Sequence, residues 1–260
     1  MSEDILNLPA PPPDRRVAYG TDPNQFLDLR WPPIRPPEAV PLVINIHGGF
    51  WRARYDLTHA GHLCAALTNQ GLATANLEYR CVGNQGGGWP GTFADIRKAY
   101  EFLVQHAQEY KIDAGRVVIA GHSAGGQLAL CLAARETQIR GVISLAGVVD
   151  LQRAHELHLS RDAVVEFLGG PPSEVPKAYD KADPMRFSVG SVPQILLHGS
   201  IDEEVPPDFS RAYVASKQKR TGAEKENVRL VEITGAGHYD LIDPRTPACN
   251  EVVEVVAHLV

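Results

Sequence analysis

Apolar positions along the chain fall alternately into short continuous runs and into stripes at helical spacing. "AVPLVINIHGG" (39–49) is a β-branched run of strand length that ends in glycines. In 56–70, Ala60, Leu63, Cys64 and Leu67 recur at helical spacing, and Gly71 stops the pattern. "LATANLEYR" (72–80) predicts a second strand, followed by the glycine loop "VGNQGGGWPG" and a helix with Phe93, Ile96, Tyr100 and Leu103 on one face. Strands are then expected at 116–121, 140–147, 192–200 and 227–234, and helices at 123–135, 207–220 and 246–260. Prolines at 9–13 and 32–41 predict extended chain in an N-terminal arm and an early turn.

Apolar strands alternating with amphipathic helices predict the α/β class: a mostly parallel sheet with helices on both faces. The stretch 148–190 lacks a strand-like run. It predicts a short helical insertion between two sheet strands, lid-like, roofing a site at the sheet's carboxyl edge. At 260 residues the chain suits one domain (1–260), with an arm and first strands in 1–38.

A net charge of −6 argues against a nucleic-acid partner and gives no support to an anionic membrane surface. No apolar run approaches membrane-span length, and the first thirty residues hold no signal-like apolar stretch. Cys64, Cys81, Cys131 and Cys249 are scattered without a CxxC pair, so reduced thiols and a cytoplasmic location are expected. The pattern leaves a homodimer open.

"AGHSAGG" (120–126) changes the picture from fold to chemistry. Ser123 lies between a predicted strand and a predicted helix, with Gly121 and Gly125 two residues away on either side. That is the context of a nucleophile elbow, in which a tight turn exposes the hydroxyl beside a helix N-terminus. The plainer alternative is an N-capping serine at a strand end.

A serine nucleophile needs a histidine base oriented by a carboxylate. "ILLHGSIDEEVPP" puts Asp202 just past one predicted strand, and "VEITGAGHYDLIDP" puts His238 just past the next. Glu203, Glu204 and Asp208 are alternative acids, and His238 could instead cap or pack. "INIHGGFW" (44–51) supplies an oxyanion loop: Gly48 and Gly49 allow close backbone approach, and the N–H of Ala124 lies after the nucleophile. His47 is expected to fix this loop by hydrogen bonding. Glu78 is expected in a buried structural pair with Arg80 or a nearby helix, a substrate contact being the alternative.

In this order, "HGGFW", "GHSAGG", "HGSIDEEVP" and "GHYD" resemble the α/β-hydrolase superfamily from about residue 40 onward. HGG followed by an aromatic and Trp51 resembles the kynurenine formamidase (arylformamidase) branch and the small carboxylesterases near it. The resemblance implies Ser123, Asp202 and His238 as catalytic residues, and Gly48, Gly49, Phe50 and Ala124 as the oxyanion hole. Trp51, Trp89, His122 and Tyr239 are expected substrate contacts, Trp89 as the wall of a mobile rim loop (83–91). Phe50 and Trp51 crowd the loop, so a small acyl group is expected.

The function expected is hydrolysis of small-acyl carboxylic esters through an acyl-enzyme, without metal or organic cofactor. Alternatives are hydrolysis of N-formylkynurenine and a non-catalytic small-molecule receptor. His155, Glu156 and His158 do not have zinc-motif spacing, and with His59 and His62 they are expected on solvated faces.

Overall fold

The computed structural model describes residues 2–136, 138–221 and 225–260. Its elements run β1 (Arg15–Ala18), β2 (Phe26–Arg30), β3 (Val40–Ile46), α1 (Gly61–Thr68), β4 (Ala73–Leu77), α2 (Gly91–Gln105) and α3 (Ala107–Tyr110). They continue with β5 (Ile112–His122), α4 (Ala124–Ala133), β6 (Gly141–Leu145), α5 (Leu151–Glu156), α6 (Ala163–Leu168) and α7 (Pro176–Ala182). The chain closes with β7 (Gln194–Gly199), α8 (Asp208–Gln218), β8 (Val228–Ile233) and α9 (Pro247–Leu259).

The strands form one sheet in the order β1-β2-β4-β3-β5-β6-β7-β8. Pairing is parallel from β4 through β8 and antiparallel only where β1 and β2 are added at one edge. This is the mostly parallel α/β sheet that the alternating pattern predicts. β5 starts earlier than its apolar run, because Ile112 and Asp113 pair with Val40 and Pro41 before a register shift at Pro41/Leu42.

Central strands buried on both faces are mostly apolar, as in β6, which is wholly buried and carries one polar side chain, Ser144. One core packs Leu42, Ile44 and Ile46 against α2 and α4; the other packs Val43, Val118 and Ile143 against α1 and α9. Between β6 and β7 the chain makes only short helices, α5 to α7. Ahead of β1, a 3-10 helix (Ser2–Asn7) inserts Ile5 into the second core. No helix among the described residues is long and apolar enough to cross a membrane.

Candidate active site

Ser123 sits in the turn from β5 to α4 with φ 56° and ψ −120°, a conformation a serine keeps only under constraint. The constraint is visible: its N–H donates to Leu145 O at 2.8 Å, and its carbonyl accepts from the N–H groups of Gly126 at 2.9 Å and Val148 at 3.2 Å. The turn also runs hard against β3. A Cβ on Gly125 would lie 2.1 Å from the carbonyl oxygen of Ile46, so only glycine fits there.

β7 and β8 bring the next two groups to the same edge. His238 Nδ1 is 2.7 Å from Asp202 Oδ2. Asp202 Oδ1 accepts from the N–H groups of Glu204 and Val205, each at 2.9 Å. Burial raises the Asp202 carboxyl, but hydrogen bonds from His198, His238 and the Val205 backbone outweigh it, and the net shift is well below the usual carboxylate range. Asp202, rather than Glu203, Glu204 or Asp208, is therefore the carboxylate in contact with His238 and the candidate for the acid. His198 was not singled out from sequence. Fully buried, it stands 3.3 Å from Asp202 Oδ2 and is itself fixed by Ser210 Oγ and Val205 O.

The loop after β3 carries three consecutive positive φ values: Gly49 (111°), Phe50 (50°) and Trp51 (59°). Gly48 backs onto the serine; a Cβ there would lie 2.9 Å from Ser123 Cβ. The backbone N–H groups of Gly49, Phe50 and Ala124 make no hydrogen bond to protein groups among the described residues. His47 braces the loop as expected: its ring stacks on Tyr79 at 4.4 Å, and Nε2 lies 3.2 Å from Glu78 Oε1. Burial alone would lower the His47 pKa, but the Glu78 carboxylate and hydrogen bonds raise it overall. Glu78 does not pair with Arg80, whose guanidinium is taken by Asp95 at 2.6 Å. The Glu78 carboxylate instead also accepts from the N–H groups of Leu57 and Tyr79.

A cavity of about 60 Å³ joins Ser123 and His238 to Gly49, Phe50, His122 and Tyr239, with Leu6, Arg54, Tyr55, His59, Ser160 and Glu204 completing its wall. Two expected contacts fall elsewhere. Trp51 is buried, with its indole N–H on Gln127 Oε1 at 3.0 Å and its ring stacked on Phe167 at 4.5 Å. Trp89 stacks on Phe93, and its loop is pinned by bonds such as Trp89 N–H to Phe167 O. Both indoles thus pack helices and do not line the cavity. His59 differs from expectation in the opposite sense: it is buried against the cavity, and burial, with the neighbouring His47, lowers it to about 3. Its place follows from the 3-10 turn Leu57–Ala60, which has no amphipathic signature in the sequence.

Among the described residues, one metal-like group occurs: His47, Glu78 and Cys81, with ligand atoms within 4.8 Å of one another. Its donors are already engaged. His47 uses both ring nitrogens on Gly48 O and Glu78, and burial holds the Cys81 thiol protonated. It is a hydrogen-bonded brace that does not fit a metal ion.

The site therefore has a constrained serine, a carboxylate-oriented imidazole and free backbone donors around one small cavity. Residues 27–216 match the BD-FAE family. The chain belongs to the BD-FAE family. It is 25% identical over 251 residues to the esterase LipC of Mycobacterium tuberculosis, covering 88% of this chain and 60% of that relative. The chain thus spans less than two thirds of that protein's length. Among solved structures, a truncated carbohydrate esterase from gut microbiota superposes with a TM-score of 0.80 at 19% identity, covering 97% of this chain and 99% of that one. Esterase B from Lactobacillus rhamnosis superposes with a TM-score of 0.81 at 19% identity, covering 99% and 89%. These likenesses show that this BD-FAE member has the α/β-hydrolase fold its motifs resemble.

Proposed function

We propose that the chain is a serine hydrolase that cleaves small-acyl carboxylic esters through an acyl-enzyme intermediate. One observation carries this: Ser123 and His238 line the same cavity while Asp202 holds His238 Nδ1 from behind at 2.7 Å. With Nδ1 so occupied, Nε2 is the nitrogen left to take the Ser123 proton. Ser123 Oγ attacks the ester carbonyl carbon, and the oxygen turns negative towards the N–H groups of Gly49, Phe50 and Ala124. Each such donor is worth about 3–4 kcal/mol of transition-state stabilisation. His238 then passes its proton to the departing alkoxide, and a water deprotonated by the same nitrogen releases the acid. Asp202 remains ionised throughout and holds the imidazole tautomer. The chemistry is complete without a metal or organic cofactor.

The cavity of about 60 Å³ favours a small acyl group. Phe50 supports that limit from the wall; Trp51, buried behind it, does not touch the cavity. The esterase names of the relatives support the same reaction class, and the carbohydrate esterase adds acylated sugars as substrates to try. Cleavage of an aryl formamide has no observation here in its favour. The four cysteines are free and buried, in keeping with a reducing, cytoplasmic setting.

The test is kcat/KM for p-nitrophenyl acetate and N-formylkynurenine side by side, with Ser123→Ala as the blank. Ester turnover that disappears in the variant is the expected result. A strong formamide preference would replace the substrate class. No turnover above the blank, together with no covalent labelling of Ser123 by an organophosphonate, would leave a binding protein.

A further inference from the structure

A second strained stretch reaches the cavity through Ser160. His158, Ser160, Arg161 and Asp162 all have positive φ, from 48° to 60°, and none is glycine. Such backbone persists only where contacts impose it, and it gathers at ligand sites. His158 Nδ1 and Asp162 Oδ1 hold each other at 2.7 Å, and the contacts to Ser160 and Arg161 come from Arg52, two residues after Phe50. Its Nη1 donates to Ser160 Oγ at 3.1 Å, Nη2 to Arg161 O at 3.2 Å, and Nε to Glu166 Oε2 at 2.8 Å. The main chain of Arg52 is itself held, by Gly49 O at 3.1 Å and by a bridge to Val82. The oxyanion loop and the 158–162 loop are thus fastened together.

Ser160 is the residue of the helical insertion 148–190 that reaches the cavity wall. A guanidinium can only donate, so Ser160 Oγ is the acceptor in its bond with Arg52. The hydroxyl hydrogen of Ser160 has no acceptor among the described residues, and the side chain is half-buried at the cavity. A donor oriented by a charged neighbour, on a backbone kept in a strained form, beside the candidate nucleophile, has the attributes of a substrate contact.

We propose that Ser160 donates a hydrogen bond to the bound ester, that Arg52 positions it, and that the pair selects esters with an oxygen acceptor next to the scissile group. This rests on the assignment of Ser123 as nucleophile. An alkyl ester of the same size leaves the hydroxyl unpaired when it fills the cavity, and a site built to donate discriminates against such an analogue. The acceptor is an ether or hydroxyl oxygen on either the alcohol or the acyl side.

Two near-isosteric pairs test it: 2-methoxyethyl acetate against n-butyl acetate, and p-nitrophenyl methoxyacetate against p-nitrophenyl butyrate. The quantity read is the ratio of kcat/KM within each pair, compared between the wild type and Ser160→Ala, Ser160→Gly and Arg52→Met. In at least one pair the oxygen preference is expected to fall by about 5- to 10-fold in all three variants. Glycine relieves the positive φ whereas alanine keeps it, so equal losses in the two assign the effect to the hydroxyl. Ratios unchanged in both pairs, or a loss confined to one Ser160 variant, overturn the proposal. Absence of turnover above the Ser123→Ala blank overturns the nucleophile assignment as well, and so separates the two failures.

Discussion

The imidazole of His122 donates from Nε2 to the main-chain oxygen of His238 across 3.0 Å, tying the residue before the candidate nucleophile to the backbone of the candidate base. A carbonyl oxygen only accepts, so Nε2 carries the ring's proton. Nδ1 is buried without a partner, and burial, with His238 and His59 nearby, drives the His122 pKa well below the ordinary value. His122 is therefore a neutral strut between two segments 116 residues apart in the chain.

His122→Phe fills much of the same space but cannot donate. Freed of its tether, the His238 loop shifts relative to Ser123. A misplacement on the ångström scale lowers kcat by up to about 100-fold. KM should change little, and His122→Gln should recover part of the loss. Steady-state kinetics on p-nitrophenyl acetate checks it; a His122→Phe enzyme with wild-type kcat rules the strut out.

Acid should destabilise the fold between pH 6.5 and about 3 in a way traceable to His59. Buried and next to His47, His59 is lowered from 6.5 to about 3 in the folded protein. In that window the unfolded chain binds a proton that the folded chain refuses, so stability drops as pH falls. The full effect is on the order of 5 kcal/mol. Asp202, also shifted downwards, contributes stability above the usual carboxylate range that is lost as pH falls towards its lowered value. Urea unfolding at pH 7, 5.5 and 4.5 should show a shallower pH slope for His59→Asn than for the wild type. Equal slopes would mean that His59 is not buried in the neutral form.

Two glycine-to-alanine changes should separate close packing from backbone conformation. At Gly125 a Cβ would stand 2.1 Å from the Ile46 carbonyl oxygen, a backbone atom that cannot swing aside. Gly125→Ala should cost more than about 2 kcal/mol and abolish turnover by displacing the elbow from β3. Gly71 has φ 84° but nothing within 4 Å, so Gly71→Ala should cost only about 1 kcal/mol and leave kinetics alone. Thermal midpoints of the two variants decide; similar values would contradict this geometry.

Glu78→Gln removes the charge beside His47 and unbalances a carboxylate shared by His47 Nε2 and the Leu57 and Tyr79 N–H groups. Breaking a buried pair of this kind costs about 3–5 kcal/mol. Because His47 braces the proposed oxyanion loop, kcat should fall as well. Asp95→Asn, which loosens Arg80 on the neighbouring segment, should lower stability with a smaller effect on kcat. The reverse order of kcat losses would mean that the loop is braced from Arg80 and not from Glu78.

Much of this protein was legible in the chain. Apolar runs of strand length and stripes at helical spacing reproduce the elements from β3 to α9 to within a few residues, apart from the early start of β5 and the short helix α3, which no stripe announced. The lack of a strand pattern in 148–190 matches three short helices. Glycines around Ser123 announce a turn because backbone sterics act within a few residues, and Asp202 and His238 follow from their places after strands. What these positions do not announce is who stands opposite whom.

The sequence by itself determined the alternation of elements, the mostly parallel sheet and the order of the serine, acid and histidine along the chain. Those properties depend on side-chain period and local backbone freedom. Only the tertiary structure decided that Glu78 braces His47 while Arg80 goes to Asp95, that Trp51 and Trp89 pack helices, and that His59 walls the cavity. It alone fastened Ser160 to Arg52, 108 residues away. Each outcome is a competition among partners distant in sequence for the same buried space or the same charge, and only packing of the whole sheet and its helices settles that competition.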